Sequence, residues 1–366
     1  MKKLCIVSEE SLLGGGRKSG IAELSDSLAY TMSREYDVAV VTIYGEGGFA
    51  KHVPVTYEWL PGIHRTRMFG IEYYLIAADR WQELAGFAIA DARATIVHNL
   101  AAPDLNFTAI RSVYTIDDAR LITDPAKLAK YDVITTVSRT YAQNILTDYP
   151  QLAAFLQTKP FYGITNGILT EFFDPSVGHL IKAHFTADDL TGKKLCKEAL
   201  CETYGIPKDR WIAVMLCRMV EDKGVSSVID EIDHITACGG IVILAGPNLH
   251  TSAVSLASFP HPAQCLQLLA GADYFLSPSK YEPCGLMPMT AARYGCVPIV
   301  TQVGGLCDNF CDENAIVVTD TLSKAIEQAA TIFYEDDTKL IKGAMSSDFS
   351  WDTRKKPYLD IYEGKL

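Results

Sequence analysis

The sequence predicts an α/β protein with two doubly wound domains, each a parallel sheet covered by helices on both faces. Short apolar, β-branched segments alternate along the chain with stretches of helical periodicity, which is typical of parallel strands joined by helical crossovers. The same alternation starts again after Pro207, so the chain carries two such sheets. A length of 366 residues also fits two domains at roughly 150 residues each.

The first sheet is predicted from five apolar segments and the helix between the first two. In that helix, Ile21–Ser33, apolar residues recur with a helical period. The predicted strands are Leu4–Val7, Val38–Ile43, Thr95–Val97, Ser112–Ile116 and Val133–Val137.

The second sheet follows a turn signal at Thr165-Asn166-Gly167, which divides the chain into domains 1–165 and 166–345. The predicted strands are Trp211–Cys217, Ile241–Ala245, Tyr274–Ser277 and Val297–Thr301, and the predicted helices are Val225–Ala237, Ala263–Ala270 and Gly285–Tyr294. Ligands of such sheets bind beyond the carboxyl ends of the strands. We therefore expect the site in a cleft between the two domains.

Composition excludes several classes of protein. The net charge of −11 (33 basic against 44 acidic residues) and the absence of a long basic run disfavour binding to nucleic acid or an anionic membrane. No apolar run approaches the ~20 residues of a membrane helix, and the N-terminus turns acidic at Glu9 too early for a signal peptide. The ten cysteines form no C-x-x-C pair, which predicts reduced thiols, a cytoplasmic location and no metal site.

The strongest motif is the segment from Ala272 to Leu286, where a strand enters a tight turn before a helix. Pro283 and Gly285 favour the turn, and free amides at the helix N-terminus would form an anion site. Glu282 stands where its carboxylate can accept bonds from a ligand's hydroxyl groups. The alternative is that Glu282 only caps the helix.

A second motif is the loop after strand Trp211–Cys217, with Arg218 and then Lys223 five residues later. Two cations at one strand end can converge on a diphosphate and neutralise a nucleotide leaving group without a metal ion. The alternative is a solvated loop with a Glu221–Lys223 surface pair.

A third motif, Gly14-Gly15-Gly16-Arg17-Lys18-Ser19-Gly20, follows the first strand. Its glycines allow close approach of the backbone to a ligand, and Lys18 adds a positive charge. It matches neither G-x-G-x-x-G, because no acidic residue ends the second strand, nor the P-loop pattern. The alternative is a flexible loop.

Together these segments resemble the bacterial glycogen synthase and plant starch synthase family, which are retaining glucosyltransferases of the GT-B fold. The likeness is closest in the C-terminal half. It rests on Ser279–Leu286 (S-R-F-E-P-C-G-L in the family), Ala292–Val300 with Gly304-Gly305-Leu306, Phe185–Lys193 (Y-S-x-x-D-L-x-G-K), Ile164–Ile168 with Asp174-Pro175, the R-x-x-x-x-K of Arg218 and Lys223, Lys18–Glu23, and Phe349–Asp352 with Tyr358-Leu359. Thr290 replaces the second glutamate of a cousin group, which favours glycogen and starch synthases.

The resemblance implies a role for each matched residue. Arg218 and Lys223 would bind the diphosphate of the donor, and Glu282 would hold its glucosyl ring; these three are the catalytic candidates. The donor-binding candidates are Lys18, Gly20, Cys284, Gly285, Leu286, Asp117 and His98. No protein nucleophile and no cofactor is implied, because the donor is itself a nucleotide-diphospho-glucose. Residues 346–366 would form the family's closing helix, which returns to the first domain.

Three departures from the family pattern stand out. Asp117 follows the strand Ser112–Ile116 where the family has a histidine that contacts the donor sugar, so either Asp117 replaces it in kind or the site has changed. His98 only partly matches another family segment, and a satisfied polar group at a strand end is its alternative. Pro260 stands where bacterial members have an aromatic residue that stacks on the donor base.

The function predicted from this resemblance is transfer of glucose from ADP-glucose, or UDP-glucose, to the non-reducing end of an α-1,4-glucan. The expected partners are therefore a nucleotide sugar and an α-glucan; the sequence carries no signal of oligomeric state. One alternative is the same donor with another acceptor, a surface polysaccharide or small sugar, which the short first domain favours. Another is a catalytically idle relative that binds nucleotide or glucan.

Overall fold

The computed structural model describes residues 2–12, 20–44, 57–100, 103–246, 254–256 and 261–366. The chain divides into two compact units. Unit 1 comprises Met1–Gly167 together with Trp351–Leu366, and unit 2 comprises Ile168–Ser350.

Strands and helices alternate through most of both units. The strands are β1 Lys3–Ser8, β2 Asp37–Tyr44, β3 Tyr57–Leu60, β4 Ile63–Met68, β5 Ile71–Ala77, β6 Ile96–Asn99, β7 Arg111–Ile116, β8 Val133–Thr136, β9 Phe161–Gly163, β10 Trp211–Leu216, β11 Gly240–Ala245, β12 Val254–Leu256, β13 Tyr274–Ser277, β14 Val297–Thr301 and β15 Ile316–Val318. The helices are α1 Gly20–Met32, α2 Trp81–Asp91, α3 Arg139–Asp148, α4 Pro150–Leu156, α5 Thr191–Tyr204, α6 Val225–Asp230, α7 Ile232–Ala237, α8 Pro262–Gly271, α9 Leu286–Arg293, α10 Gly305–Asn309, α11 Leu322–Glu335, α12 Thr338–Ser346, α13 Trp351–Arg354 and α14 Lys356–Glu363.

The sheet of unit 1 has the order β3-β4-β5-β2-β1-β6-β7-β8-β9. Its strands pair in parallel from β5 to β9, whereas β4 pairs antiparallel with both β3 and β5. Residues 4–8 of the central strand β1 are fully buried, as expected of a parallel strand covered on both faces. This arrangement confirms a doubly wound sheet, to which the β3–β4–β5 meander is an addition that the sequence analysis did not predict.

The C-terminal helices α13 and α14 pack on unit 1 through buried polar contacts. The indole Nε1 of Trp351 donates to Ser27 Oγ at 3.0 Å, and the Tyr362 hydroxyl lies 2.5 Å from His98 Nδ1. Both aromatic side chains are almost fully buried. These contacts place Trp351 and Tyr362, together with Tyr358 and Ile361, in the core of unit 1.

The sheet of unit 2 has the order β12-β11-β10-β13-β14-β15, and all its described pairs are parallel. Strands β10 and β13 lie side by side at its centre, so the loops that follow them emerge at the same edge. Every residue of these two strands is buried. The two central loops carry most of the residues that the sequence analysis singled out.

One helix that the sequence predicts as continuous is interrupted in the structure. The single helix predicted over Val225–Ala237 is two helices, α6 and α7, separated at Glu231. The Glu231 amide bonds to Val228 O, a tighter turn than α-helix, and the Glu231 carboxylate accepts a bond of 2.6 Å from Ser323 Oγ. This side-chain contact favours the break, and it joins residues that are far apart in sequence.

None of the helices in the described ranges combines the length and the apolar character needed to cross a lipid bilayer.

Candidate active site

The loops after β10 and β13 are bonded to each other at the carboxyl edge of the unit 2 sheet. The amides of Lys280 and Tyr281 both donate to the carbonyl of Asp222, at 2.8 and 3.2 Å. Gly224 ends the first loop with φ +73°, and a Cβ at this position would lie 2.1 Å from Pro278 O. Only glycine therefore fits both the backbone conformation and the close approach.

This interlock brings together two of the predicted catalytic residues. Lys223 Nζ donates to Glu282 Oε2 at 2.6 Å, and the two side chains are only 20% and 12% exposed. Ser279, itself 1% exposed, places its hydroxyl 3.5 Å from the same oxygen. Among the described residues nothing donates to Glu282 Oε1, so the second carboxylate oxygen is left to accept bonds from a ligand.

The alternatives raised for Lys223 and Glu282 do not describe this structure. Glu221 pairs with Lys280 and accepts a bond from Ser226 Oγ, so the Glu221–Lys223 surface pair is not formed. Helix α9 begins without a side-chain cap, and Glu282 accepts from Lys223 instead of capping. The pair Glu221–Lys280 is more than half exposed on both sides, and such pairs contribute little to stability.

Arg218 lies in the same loop, two residues beyond the end of β10, with its side chain exposed. In the described part of the chain its guanidinium makes no ion pair. A guanidinium offers five N–H donors in a planar fork that suits phosphate oxygens. The loop after β10 thus carries an exposed guanidinium as well as the lysine of the Lys223–Glu282 pair.

The turn into α9 is built on backbone contacts rather than on side-chain chemistry. Gly285 has φ +89° and precedes the helix, and the amides of the first helical turn have no acceptor within α9. The Gly304-Gly305 turn packs beneath it: Gly305 N donates to Glu282 O at 2.9 Å, and a Cβ on Gly304 would lie 2.1 Å from that carbonyl.

Cys284 is buried in this turn, with 6% of its surface exposed. Its carbonyl accepts a bond of 3.0 Å from Asn309 Nδ2. The backbone N–H groups of Cys284, Gly285 and Leu286 therefore belong to a turn that is held in place by hydrogen bonds. These contacts suit a backbone cradle for an anion, and they make the Cys284 thiol a small packing group.

The donor-binding candidates of unit 1 are Lys18, Gly20, Asp117 and His98. Lys18 and the glycines before it, like Pro260 in unit 2, lie outside the described residues. Gly20 is the exposed first residue of α1, and Asp117 directly follows β7 with its side chain half-buried. Its neighbour Asp118 pairs with Arg120 at 2.7 Å.

His98 is fully buried, so the structure removes it from the donor-binding candidates. Its Nδ1 lies 2.5 Å from Tyr362 Oη and its Nε2 lies 2.6 Å from Thr115 Oγ1. Burial lowers the pKa of His98 to about 3, which keeps the ring neutral. Both ring nitrogens are engaged inside unit 1, which leaves no nitrogen for a ligand.

The sequence analysis missed Ser279 and Thr301 as parts of the site. Thr301 Oγ1, at the end of β14, donates to Ser279 O at 2.5 Å, and so holds the residue whose hydroxyl faces Glu282. Ser279 stands inside the quoted motif, and its position three residues before Glu282 is the only sequence signal. The contact between Thr301 and Ser279 joins two segments of the chain, and no signal in the sequence predicts it.

A model of the family "Glycosyl transferases group 1" matches residues 197–345, which contain both central loops. This segment is therefore similar to the group 1 glycosyl transferases. It holds Arg218, Lys223 and Glu282 in one sheet edge.

Glycogen synthases are homologous to a longer part of the chain. The glycogen synthase of Streptococcus mutans is 33% identical over 267 residues, which cover 63% of this chain and 56% of that protein. The glycogen synthase of Thermotoga maritima is 32% identical over 268 residues, covering 64% and 55%. The matched part of the chain thus spans about half the length of these relatives.

Solved structures share the fold over the whole chain. The catalytic domain of starch synthase IV from Arabidopsis thaliana matches with a TM-score of 0.81 at 20% identity, covering 99% of each chain. Sucrose-phosphate synthase from Thermosynechococcus elongatus matches with a TM-score of 0.66 at 14% identity. These likenesses confirm the predicted GT-B fold with its two Rossmann-like domains.

Proposed function

We propose that this protein is a retaining glucosyltransferase of the glycogen synthase type. It transfers glucose from a nucleoside diphosphate glucose, ADP-glucose first and UDP-glucose as the alternative, to the non-reducing end of an α-1,4-glucan in the cytoplasm. The observation that carries the proposal is the Lys223–Glu282 bond at the sheet edge, with the exposed Arg218 in the same loop as Lys223. The homology to glycogen synthases supports the choice of substrates.

In this proposal the two cations act on the leaving group. Cleavage of the glycosidic bond leaves negative charge on the nucleoside diphosphate, and Arg218 and Lys223 stabilise that charge as it develops. We assign further contacts to phosphate and sugar to the backbone amides of Cys284, Gly285 and Leu286. Lys18 and Gly20 remain donor-binding candidates on the strength of the family resemblance. Charge stabilisation of this kind needs no metal ion or other cofactor.

Glu282 has a different role, because it is already bonded to Lys223. Its Oε2 is fixed by the ammonium, which leaves Oε1 to accept hydrogen bonds from the hydroxyl groups of the glucosyl ring. Asp117 stands in the sequence where the family has its sugar-contacting histidine, and we propose it as the replacement. The same ammonium thus contacts both the carboxylate that holds the sugar and the diphosphate that leaves.

The testing experiment measures nucleoside diphosphate release from ADP-glucose and from UDP-glucose, each with and without glycogen. We expect release from one donor to increase when glycogen is added, with glucose incorporated into the glucan. Donor binding without stimulation by glycogen would contradict the acceptor and favour another one. Absence of donor binding and of turnover would contradict the whole proposal.

A second candidate keeps the donor and changes the acceptor to a surface polysaccharide or small sugar. The observation that favours it is the position of the family match, which lies within unit 2 at residues 197–345 and so supports the donor side of the reaction. An acceptor screen with the donor that binds would separate the two candidates.

A further inference from the structure

The motif Phe185–Lys193 has no part in the proposed chemistry, yet it delivers a buried charge to the centre of unit 2. Its first residues form a compact turn, in which Thr186 N donates to Asp189 O at 3.0 Å and Asp189 N donates to Thr186 Oγ1 at 3.1 Å. The Thr191 amide then donates to Asp189 Oδ1 at 3.0 Å as α5 begins. A Cβ on Gly192 would lie 1.9 Å from His184 O, so α5 can pack this closely against the backbone of His184 only with glycine at this position.

The motif ends in Lys193, which is 6% exposed. Its ammonium donates to three carbonyls, Ala270 O at 3.2 Å, Ala272 O at 3.0 Å and Tyr294 O at 3.1 Å. An ammonium has three N–H donors, so all of them are used. Burial lowers the pKa of Lys193 from its ordinary value, but the three bonds and the negative ends of two helices favour the charged form.

The three carbonyls belong to two segments that meet again at the site. Ala270 and Ala272 close α8 and lead into β13, and Tyr294 closes α9. Strand β13 and helix α9 are joined by residues 278–285, which include Glu282 and Cys284. We call the three carbonyl groups the base of this strand–loop–helix unit and residues 278–285 its tip.

The base of the unit is joined by this ammonium and also by the start of the β13–β14 ladder, where Val297 N donates to Asp273 O at 2.8 Å. The side chain of Lys193 also packs against Gly295, where a Cβ would lie 3.2 Å from Lys193 Cδ. Helix α9 has only eight residues, about 12 Å of helix, and a helix this short moves as one piece. A displacement at its end therefore displaces its first turn and the tip.

We propose that Lys193 is a positioning residue, which joins strand and helix at the base and thereby sets the geometry of Glu282 and the first turn of α9 at the tip. The inference rests on the proposed function only for the statement that the tip is where the donor binds. It assigns a purpose to the Phe185–Lys193 motif, which is to place one ammonium between two helix ends.

The test compares Lys193→Met with Lys197→Met, a matched control on the same helix one turn later. Lys197 is bonded to Asp273 Oδ2 at 2.7 Å, so it contacts the strand side of the unit but not α9. Asp273 keeps its bond from Ile212 N in that variant. Both variants remove a lysine that is mostly buried, and they differ in whether the lost ammonium contacts the end of α9.

The readout is hydrogen–deuterium exchange at three amides that dock the tip, those of Lys280, Tyr281 and Gly305. In the folded wild type these donate to Asp222 O and Glu282 O. We expect Lys193→Met to speed their exchange at least tenfold and Lys197→Met to change it less than twofold. Faster exchange confined to residues 271–274 and 294–297 in Lys193→Met would overturn the proposal, because the role would then be local.

Lys193→Arg covers the case in which the methionine variant does not fold. Its guanidinium keeps the charge but cannot place three N–H groups around one nitrogen, so we expect a smaller increase, at least threefold, at the same three amides. Exchange as slow as in the wild type would overturn the proposal.

A second readout separates this inference from the proposed function. We expect Lys193→Met to raise the Kd for ADP or UDP, and the KM for the donor, about tenfold, whereas a loss of folded protein would lower only the apparent kcat. If the wild type binds neither nucleotide, the proposed function fails, while the exchange experiment still decides the role of Lys193. If it binds one and Lys193→Met binds it equally well, the positioning role fails.

Discussion

The bond between Lys223 and Glu282 makes a quantitative prediction about how their substitutions combine. We expect Arg218→Ala and Lys223→Ala each to lower kcat about 100-fold, because each removes a cation that stabilises the leaving group. Glu282→Gln also impairs turnover. If Lys223 and Glu282 acted independently, the effects of their substitutions would multiply.

The geometry says that they do not act independently. The bond is 2.6 Å long between side chains that are 20% and 12% exposed, and a charge-assisted hydrogen bond of this kind contributes about 1.5–3 kcal/mol. At 1.4 kcal/mol per factor of ten, the double variant Lys223→Ala/Glu282→Gln should be ~10- to 100-fold more active than the product of the single effects predicts. Once either partner is gone, the second substitution has less left to remove.

The matched control is the double variant Arg218→Ala/Glu282→Gln. Arg218 lies at the same edge, but in the described part of the chain it makes no bond to Glu282, so we expect its effect to multiply with that of Glu282→Gln to within about twofold. Nucleoside diphosphate release at saturating donor and glycogen measures all five variants. Multiplicative behaviour of the Lys223 pair, or equal coupling in both pairs, would refute the reasoning.

Three further predictions concern Gly224 and Lys280 in unit 2 and His98 in unit 1. Gly224→Ala should destabilise unit 2 by ~2–5 kcal/mol, because the new Cβ adds left-handed strain and would lie 2.1 Å from Pro278 O. Gly205→Ala is the control: at φ +65° with nothing within 4 Å, it should lower the free energy of unfolding by only about 1–2 kcal/mol. Urea unfolding measures both variants, and equal losses would contradict the close contact. Burial lowers the pKa of His98 from 6.5 to about 3, so between these pH values the unfolded chain binds a proton that the folded chain does not. The free energy of unfolding should therefore decrease as the pH is lowered from 6.5, by up to ~5 kcal/mol at pH 3. His98→Gln should flatten that part of the pH profile, and an unchanged slope would point to other groups. Lys280→Met breaks only an exposed pair and should change kcat less than twofold; a larger loss would mean that this pair helps to hold the loop.

Much of the fold could be predicted because parallel strands buried on both faces leave a strong local signal. The strands predicted at Tyr274–Ser277 and Val297–Thr301 have the bounds that the structure gives. The interruption at Glu231 could not be predicted, because it depends on a contact with Ser323, 92 residues away. The meander β3–β4–β5 was missed for a related reason, since its first two strands are partly exposed and lack a continuous apolar run.

The site divides along the same line. The turn at Gly285 was predictable, because a proline followed two residues later by a glycine favours a tight turn at the end of a strand; Gly285 has a left-handed φ of +89°. The pairing of Lys223 with Glu282 was not, because it joins residues 59 positions apart whose approach depends on Gly224 packing against Pro278. His98 shows the opposite case, where a pattern fits a ligand contact but burial in the folded unit assigns the side chain to the core.

The grouping of Trp351–Leu366 with unit 1 has a consequence for the order in which the protein is made. On the ribosome, unit 2 is synthesised as one uninterrupted segment and can fold as soon as it emerges. Unit 1 cannot be completed then, because Ser27 and His98 must wait for Trp351 and Tyr362, which are added 324 and 264 residues later. During translation unit 1 therefore lacks these buried contacts until α13 and α14 have been made, so it is completed only after unit 2 has been synthesised.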